Sequence, residues 1–160
     1  MRVNLEDDEH MVAALPKIWA IALGFRGFFN KNKEGILVLT NKNLIFVSRY
    51  LYVSPKEREK YFGEDKVKVA HLWDYSETQL DEDISENSKS WIVPLESIID
   101  ISQVTLRKVN FMRIKFSSNG KEKSYDLGVA KSVTNYPIRQ PLLFYNIDWT
   151  AWIDLLKSRI

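Results

Sequence analysis

Residues 35–48 read Gly-Ile-Leu-Val-Leu-Thr-Asn-Lys-Asn-Leu-Ile-Phe-Val-Ser, two apolar runs of four residues separated by a polar centre. Both runs are rich in β-branched or aromatic side chains, which is typical of buried strands rather than of a helix. The polar Asn41-Lys42-Asn43 between them predicts the turn of a β-hairpin. Successive residues of a strand point to opposite faces of the sheet, and here both the odd- and the even-numbered residues are apolar. We therefore expect both faces of these strands to be covered. The hairpin is therefore predicted to be central to the fold.

The spacing within this stretch resembles the G-x-L-x-L-T-N-x-R-L-x-F signature of GRAM and prokaryotic PH-like domains, through Gly35, Leu37, Leu39, Thr40, Asn41, Leu44 and Phe46. Asn43 departs from that signature, since the family usually has Arg or Lys there, although Lys42 and Arg49 keep positive charge nearby. Residues 91–98 resemble the strand and turn I-P-L-x-x-I of the same domains, and a Trp-bearing C-terminal segment resembles the helix that closes a PH barrel. The resemblance implies a small barrel which, in its lipid-binding members, binds headgroups with basic strands near an open end.

The composition sets broad limits on the class of protein. A chain of 160 residues is expected to form one domain, residues 1–160, with a sizeable core. It contains no cysteine, which excludes disulfides, thiolate catalysis and cysteine metal sites and is consistent with a cytoplasmic protein. Its 23 Lys and Arg exceed its 21 Asp and Glu by only two, whereas nucleic-acid binders are clearly basic. Any electrostatic function is therefore expected to come from a local patch.

The first 29 residues carry no pattern of a secretory or membrane-spanning segment. Residues 1–10 are acidic where a signal peptide needs a basic region. The longest apolar stretch, Ile18 to Phe29, has twelve residues and includes Arg26, whereas a bilayer span needs ~20 apolar residues. This stretch is interpreted as a core strand or short helix, with an exposed apolar tip or partner-binding surface as the alternative.

An insertion at about residues 54–90 follows the hairpin. Ser54 and Pro55 predict the start of a helix, and Gly63 its end. The alternating segment Val67 to Trp73 is a candidate strand.

The second half of this insertion is strongly acidic. Residues 74–90 carry six carboxylates, at Asp74, Glu77, Asp81, Glu82, Asp83 and Glu86. Low hydrophobicity with one dominant charge sign predicts a solvated, mobile loop. The alternative is an acidic arm that covers basic strands or recruits a basic partner.

The remaining segments predict further strands. Ile98 to Leu106 is a candidate strand, and Phe111 to Phe116 alternates so that Met112 and its apolar neighbours face inward. Asn119-Gly120 then predicts a tight turn into a partner strand, Lys121 to Leu127.

The C-terminal part is expected to pack against these strands. Leu142, Leu143 and Phe144 are predicted to fold back on the core. The final helix places its large apolar residues at i, i+3, i+4 and i+7, as Trp149, Trp152, Ile153 and Leu156. Strands followed by a helix predict a mainly β fold, a PH-like antiparallel barrel or sandwich capped by a C-terminal amphipathic helix.

The strongest local charge signal is a basic hairpin. Residues 107–123 contain a single acid, Glu122, so they carry about five net positive charges. The candidate residues for binding an anionic ligand are Arg107, Lys108, Arg113, Lys115, Lys121 and Lys123, with Lys42 added from the first hairpin. A patch of this kind suits phosphate groups or an anionic membrane surface. A solvated face without a ligand, and a protein-interaction or homo-oligomerising module without a lipid, are the alternatives.

Catalysis has little support in the sequence. Histidine is the usual acid or base near neutral pH, and this chain has only His10 and His71, neither of which lies in a recognisable motif. The chain is therefore predicted to be a non-enzymatic binding or adaptor module without a metal or cofactor, with peripheral membrane attachment as one option. Binding of single-stranded nucleic acid by Trp91, Phe111 and Tyr125 beside the basic strands is a weaker alternative.

Overall fold

The computed structural model describes residues 2–23, 33–72, 75–87, 89–136 and 138–160. Its strands and α-helices are, in chain order, β1 (Met11–Ala22), β2 (Lys33–Thr40), β3 (Asn43–Val47), α1 (Pro55–Phe62), α2 (Glu77–Glu86), β4 (Trp91–Pro94), β5 (Ile98–Leu106), β6 (Val109–Ser118), β7 (Lys121–Thr134), β8 (Gln140–Phe144) and α3 (Thr150–Lys157). All strand pairs are antiparallel. The predicted mainly β fold with a C-terminal helix is therefore confirmed.

The first hairpin forms as predicted. β2 and β3 are antiparallel neighbours, and Leu39 pairs with Leu44 across the turn. All eight residues of the two apolar runs are buried, because β2 and β3 lie within the sheet and are covered on both faces. Gly35 has a specific role, since a Cβ atom there would lie 2.1 Å from the carbonyl oxygen of Val47. Only glycine allows the two backbones to approach this closely.

The sheet is open rather than closed. Its strand order is β4-β3-β2-β1-β7-β6-β5, and β8 pairs with β7 alone. Of the two predicted architectures, the closed barrel is therefore not formed. β4 has only four residues and ends at Pro94, which cannot donate a backbone hydrogen bond. A short 3-10 turn at Leu95–Ser97 then leads into β5 without pairing the two edges.

β1 joins the two halves of the sheet. Ile18 pairs with Gly35 of β2 on one side and with Val129 of β7 on the other. Ile18 and Trp19 are buried, so the core interpretation of the apolar stretch holds for this part. Residues 24–29 of that stretch lie outside the described residues.

The later strands follow the predicted pattern. β5 spans Ile98–Leu106, and Met112, Ile114 and Phe116 of β6 are buried. Asn119 and Gly120 have φ values of 51° and 76°, which is the left-handed backbone of a two-residue hairpin turn.

The insertion is more ordered than predicted. α1 is capped by the Ser54 side chain, which accepts from the Glu57 backbone N–H at 3.2 Å, as expected. Residues 67–72 form no strand, so that prediction is wrong for the described part of the segment. Their backbone bonds go to scattered partners, including Asp148, which accepts from the Val67 N–H at 2.9 Å. The loop prediction for the acidic segment is also wrong over most of its described length, because residues 77–86 form α2.

The C-terminal elements differ from the prediction at one place. Leu142 and Leu143 are each 60% exposed, because β8 pairs only with the part of β7 that has left the main sheet. Phe144 does pack back, and its ring centroid lies 5.0 Å from that of Phe111.

The final helix is buried as predicted. Trp149, Trp152, Ile153 and Leu156 lie in the core. The Trp149 indole donates to the Asn110 carbonyl at 3.3 Å and the Trp152 indole to the Lys68 carbonyl at 3.0 Å. α3 therefore links the sheet to the insertion.

Candidate functional site

The predicted basic residues do not converge on one site. Arg107 and Lys108 form the β5–β6 turn, while Lys121 and Lys123 follow the β6–β7 turn. β6 lies between these turns and has 10 residues, so the turns are ~30 Å apart at ~3.4 Å per residue. The two pairs of cations cannot contact the same small ligand.

Two further candidates on this hairpin are neutralised. Arg113 donates to both carboxylate oxygens of Asp126, at 2.8 and 3.0 Å, and the hydrogen bond raises the pKa of Arg113. Lys115 pairs with Glu122 at 3.2 Å. These cations serve cross-strand pairing on β6 and β7 rather than a free anion site.

Asp126 lies just beyond the basic segment 107–123, so the sequence prediction of a basic hairpin does not include it. A signal for it exists in the sequence. A two-residue turn at Asn119-Gly120 pairs Ser118 with Lys121, so every cross-strand pair has residue numbers that sum to 239. This register places Arg113 opposite Asp126, and the structure shows the same pairing. The register prediction alone identifies this ion pair.

Lys121 and Lys123 differ from the other cations of the hairpin. Lys123 lies opposite Phe116 in the β6–β7 register, so it is on the face opposite to that of Arg113 and Lys115. Neither lysine forms an ion pair with a described residue. Arg107 and Lys108 at the far turn are likewise exposed and unpaired within the described ranges.

Lys123 borders a cavity of about 240 Å³ at the start of β7. The cavity is lined by Ala22, Leu23, Glu122, Lys123, Ser124 and Tyr125. Leu23 donates its backbone N–H to the Ser124 carbonyl at 3.0 Å, which fixes the end of β1 against β7. This end of the molecule thus combines a recess with two ammonium groups that form no ion pair with a described residue.

Lys42 lies in a different part of the molecule, at the β2–β3 turn. Its ammonium pairs with Glu6 and, at 2.8 Å, with Asp8. These hydrogen bonds to Asp8 and Glu6 raise the pKa of Lys42. Lys42 is therefore charged, but its ammonium is already paired with two carboxylates.

Asn43, which departs from the family signature, has a structural contact. Its side-chain amide donates to Glu9 at 2.7 Å, and the Thr40 hydroxyl donates to the same carboxylate oxygen at 2.5 Å. Glu9 is only 1% exposed. The pair of donors satisfies a buried carboxylate, which would otherwise carry a large desolvation cost.

Two acids of α2 form structural hydrogen bonds to other parts of the chain instead of forming a solvated arm. Asp81 accepts from the backbone N–H groups of Val3, Asn4 and Leu5 at 2.8 to 2.9 Å. Burial acts to raise the pKa of Asp81, but these three hydrogen bonds outweigh it and the pKa is lowered. Asp81 therefore holds the N-terminal segment against α2.

Asp83 likewise holds α2 against the end of the first hairpin. It accepts from Arg49 at 2.7 Å, from the Tyr75 hydroxyl at 2.8 Å and from Gln79 at 3.1 Å. Burial and the bond to Asp83 raise the pKa of Tyr75. The described part of the acidic segment is thus tied to the end of β3 through Arg49.

The aromatic residues considered for base stacking are engaged with one another. The Trp91 ring lies 5.2 Å from that of Tyr125 and 5.6 Å from that of Phe46. Phe111 is buried against Phe144. These rings therefore pack against one another within the sheet.

The described residues offer no cluster of side chains suited to metal binding. His10 and His71 are both exposed. Within the described ranges, no group of three or more His, Asp or Glu side chains is placed to hold a metal ion. In the same ranges, no helix has both the length and the apolar character that crossing a membrane requires.

Comparison of the chain with known proteins yields no match to a protein-family model, a curated protein or a solved structure.

Proposed function

We propose that this chain is a non-enzymatic binding module that attaches to an anionic surface through the β6–β7 end. One observation carries the proposal: Lys121 and Lys123 form no ion pair with a described residue and lie at the end that has a recess, whereas Arg113, Lys115 and Lys42 pair with carboxylates. An unpaired lysine near an anionic membrane contributes ~1 kcal/mol. The recess beside Lys123 adds a place for a headgroup.

The resemblance of the first hairpin to GRAM and PH-like domains supports the same proposal, since lipid-binding members of that fold use basic strands. The burial of that hairpin moves the proposed contact surface away from it. The cytoplasmic face of a membrane, which is rich in anionic lipids, is the proposed place of attachment.

Vesicle co-sedimentation tests this proposal. The wild-type protein is expected to bind vesicles with phosphatidylserine and to leave neutral phosphatidylcholine vesicles in the supernatant. Lys121→Ala with Lys123→Ala removes two charges of ~1 kcal/mol each, so the partition coefficient should fall about 30-fold. Equal and negligible binding of the wild type to both kinds of vesicle would rule out membrane attachment.

A second candidate function is protein recognition through the free edge of β5. This strand has nine residues and contains neither Lys nor Pro, the residues that commonly protect sheet edges. The other edge strand, β4, is short and ends in Pro94. In the two-residue hairpin of β5 and β6, Leu106 exchanges hydrogen bonds with Val109, so Thr105 directs its backbone groups away from β6.

Thr105→Pro tests this candidate by removing a backbone donor from the free edge. Thr105→Val is the matched control, because both variants lose the hydroxyl bond to Asn110 while only proline loses the N–H. If a second copy pairs with β5, sedimentation velocity should show a concentration-dependent dimer for the wild type and Thr105→Val, and a monomer for Thr105→Pro. A monomeric wild type at every concentration would contradict self-association.

A further inference from the structure

The β6–β7 turn contains an asparagine that differs from the others in its contacts. Asn119 is exposed, and its side-chain amide forms no hydrogen bond with a described residue. An asparagine side chain offers two donors and an acceptor. Every other asparagine that the structure describes has at least one side-chain hydrogen bond: Asn4, Asn41, Asn43, Asn87, Asn110, Asn135 and Asn146. The amide of Asn119 is therefore the one that no described contact holds in place.

The residue after Asn119 leaves room for attack on this amide. Asn119 is the only asparagine of the chain that precedes glycine. Beyond the chain neighbours of Gly120, no atom lies within 4 Å of the place where a Cβ atom would stand. The Gly120 N–H forms no backbone hydrogen bond with a described residue, because a two-residue hairpin turn closes through the residues on either side of it. The Gly120 nitrogen is therefore unhindered.

These two residues carry the groups that deamidation requires. The Gly120 backbone nitrogen attacks Cγ of Asn119, so that a C–N bond forms and the Cγ–Nδ2 bond breaks. Ammonia leaves with the proton that the Gly120 nitrogen loses, and a cyclic succinimide remains. Water then opens the ring at Cγ to give aspartate, or at the backbone carbonyl carbon of residue 119 to give isoaspartate. The net reaction consumes water and releases ammonia, and it needs no other reactant.

The reaction requires only a local opening of the turn. Asn119 and Gly120 have φ values of 51° and 76°, and the Asn119 side chain must swing toward the next backbone nitrogen to close the ring. The turn lies beyond Ser118 and Lys121, the last pair of the β6–β7 ladder. Exposed turns with few buried contacts open at a small fraction of the free energy of global unfolding. The core can therefore stay folded while the ring forms.

We propose that Asn119 is a site of spontaneous deamidation in the folded protein, and that the reaction converts a neutral turn into an anionic one. The new carboxylate is ionised at neutral pH. It stands beside Lys121 and Lys123, which form no ion pair with a described residue, and lowers the net positive charge of this end by one. The effect on membrane attachment rests on the proposed function, whereas the modification itself does not.

Peptide mapping of the wild-type protein tests the modification. The folded protein is incubated at mildly alkaline pH, sampled over time and digested with pepsin at low pH, where deamidation is slow. Asn119 should react before every other described asparagine and give both aspartate and isoaspartate. Asn87 is the internal control, since it precedes serine in the sequence but donates its amide to the Ser48 carbonyl.

Three results of the mapping would overturn the proposal. The first is an intact Asn119 in the folded protein after the time in which the urea-unfolded chain deamidates there. The second is an Asn87 that reacts as fast as Asn119. The third is aspartate as the sole product, because direct hydrolysis gives aspartate without the Gly120 nitrogen.

Phosphatidylserine vesicles measure the effect of the new charge. Asn119→Asp should lower the partition coefficient about fivefold, as expected for one unit charge at an anionic surface. Asn135→Asp is the matched control, because it makes the same change in net charge beyond the far end of β7, and it should bind as the wild type does. Asn119→Gly, which suits the turn but has no amide, should keep its partition during incubation while that of the wild type falls.

The two arms of the experiment separate the two proposals. Equal partition of Asn119→Asp and Asn135→Asp would contradict an effect of the modification on attachment. A wild-type protein that binds no vesicles would refute the proposed function, and peptide mapping would still decide whether Asn119 deamidates.

Discussion

Gly35→Ala is expected to destabilise the protein by about 3 kcal/mol. A Cβ atom at this position would lie 2.1 Å from the Val47 carbonyl oxygen and 2.8 Å from the Phe46 ring. The nearest obstacle is backbone of the paired strand, so relief requires β2 and β3 to move apart in the centre of the sheet. The midpoint of urea unfolding, followed by tryptophan fluorescence, measures the effect.

Gly63→Ala provides the matched control for this prediction. Gly63 has a φ of −59°, which alanine adopts freely, and the nearest atoms to an added Cβ are the ends of the Glu59 and Lys68 side chains. This variant should remain within about 1 kcal/mol of the wild type. If both variants unfold at the wild-type midpoint, the close approach at Gly35 is not a constraint on the fold.

Trp152→Ala is expected to cost about 3 to 5 kcal/mol. Trp152 is fully buried on α3, and its indole N–H donates to the Lys68 carbonyl at 3.0 Å. The truncation leaves a large cavity between the helix and the sheet and removes a link to the insertion. Calorimetric unfolding should show the loss as a lower midpoint temperature.

Trp152→Phe separates the two contributions. It retains most of the apolar volume but leaves the Lys68 carbonyl without its donor, which should cost about 1 to 3 kcal/mol. An alanine variant no less stable than the phenylalanine variant would show that α3 does not close the core through this side chain.

The strands were predictable because their signals are local. The two apolar runs around Asn41, the alternation through Met112 and the turn at Asn119-Gly120 each specify structure within a few residues. Antiparallel hairpins convert these local signals directly into a register. The open edge between β4 and β5 was not predictable, because closure depends on how the whole sheet twists and bends.

The charged residues show the limit of local reasoning. The acids of residues 74–90 predict a solvated loop, yet Asp81 and Asp83 are buried and form hydrogen bonds with Leu5 and Arg49, which are distant in the sequence. Lys42 is a candidate anion-binding residue by sequence, yet it pairs with Glu6 and Asp8 of the N-terminal segment. The net charge counted along a strand therefore overestimates the number of cations that are available to a ligand.

The most direct measurement compares two double variants on phosphatidylserine vesicles. Lys121→Ala with Lys123→Ala and Arg107→Asn with Lys108→Gly each remove two cations, so their net charges are equal. Asn-Gly suits the positive φ of the β5–β6 turn. If the β6–β7 end is the binding surface, the first variant should lose about 30-fold in partition and the second should bind as the wild type does. Equal losses, or a greater loss for the second variant, would contradict this assignment.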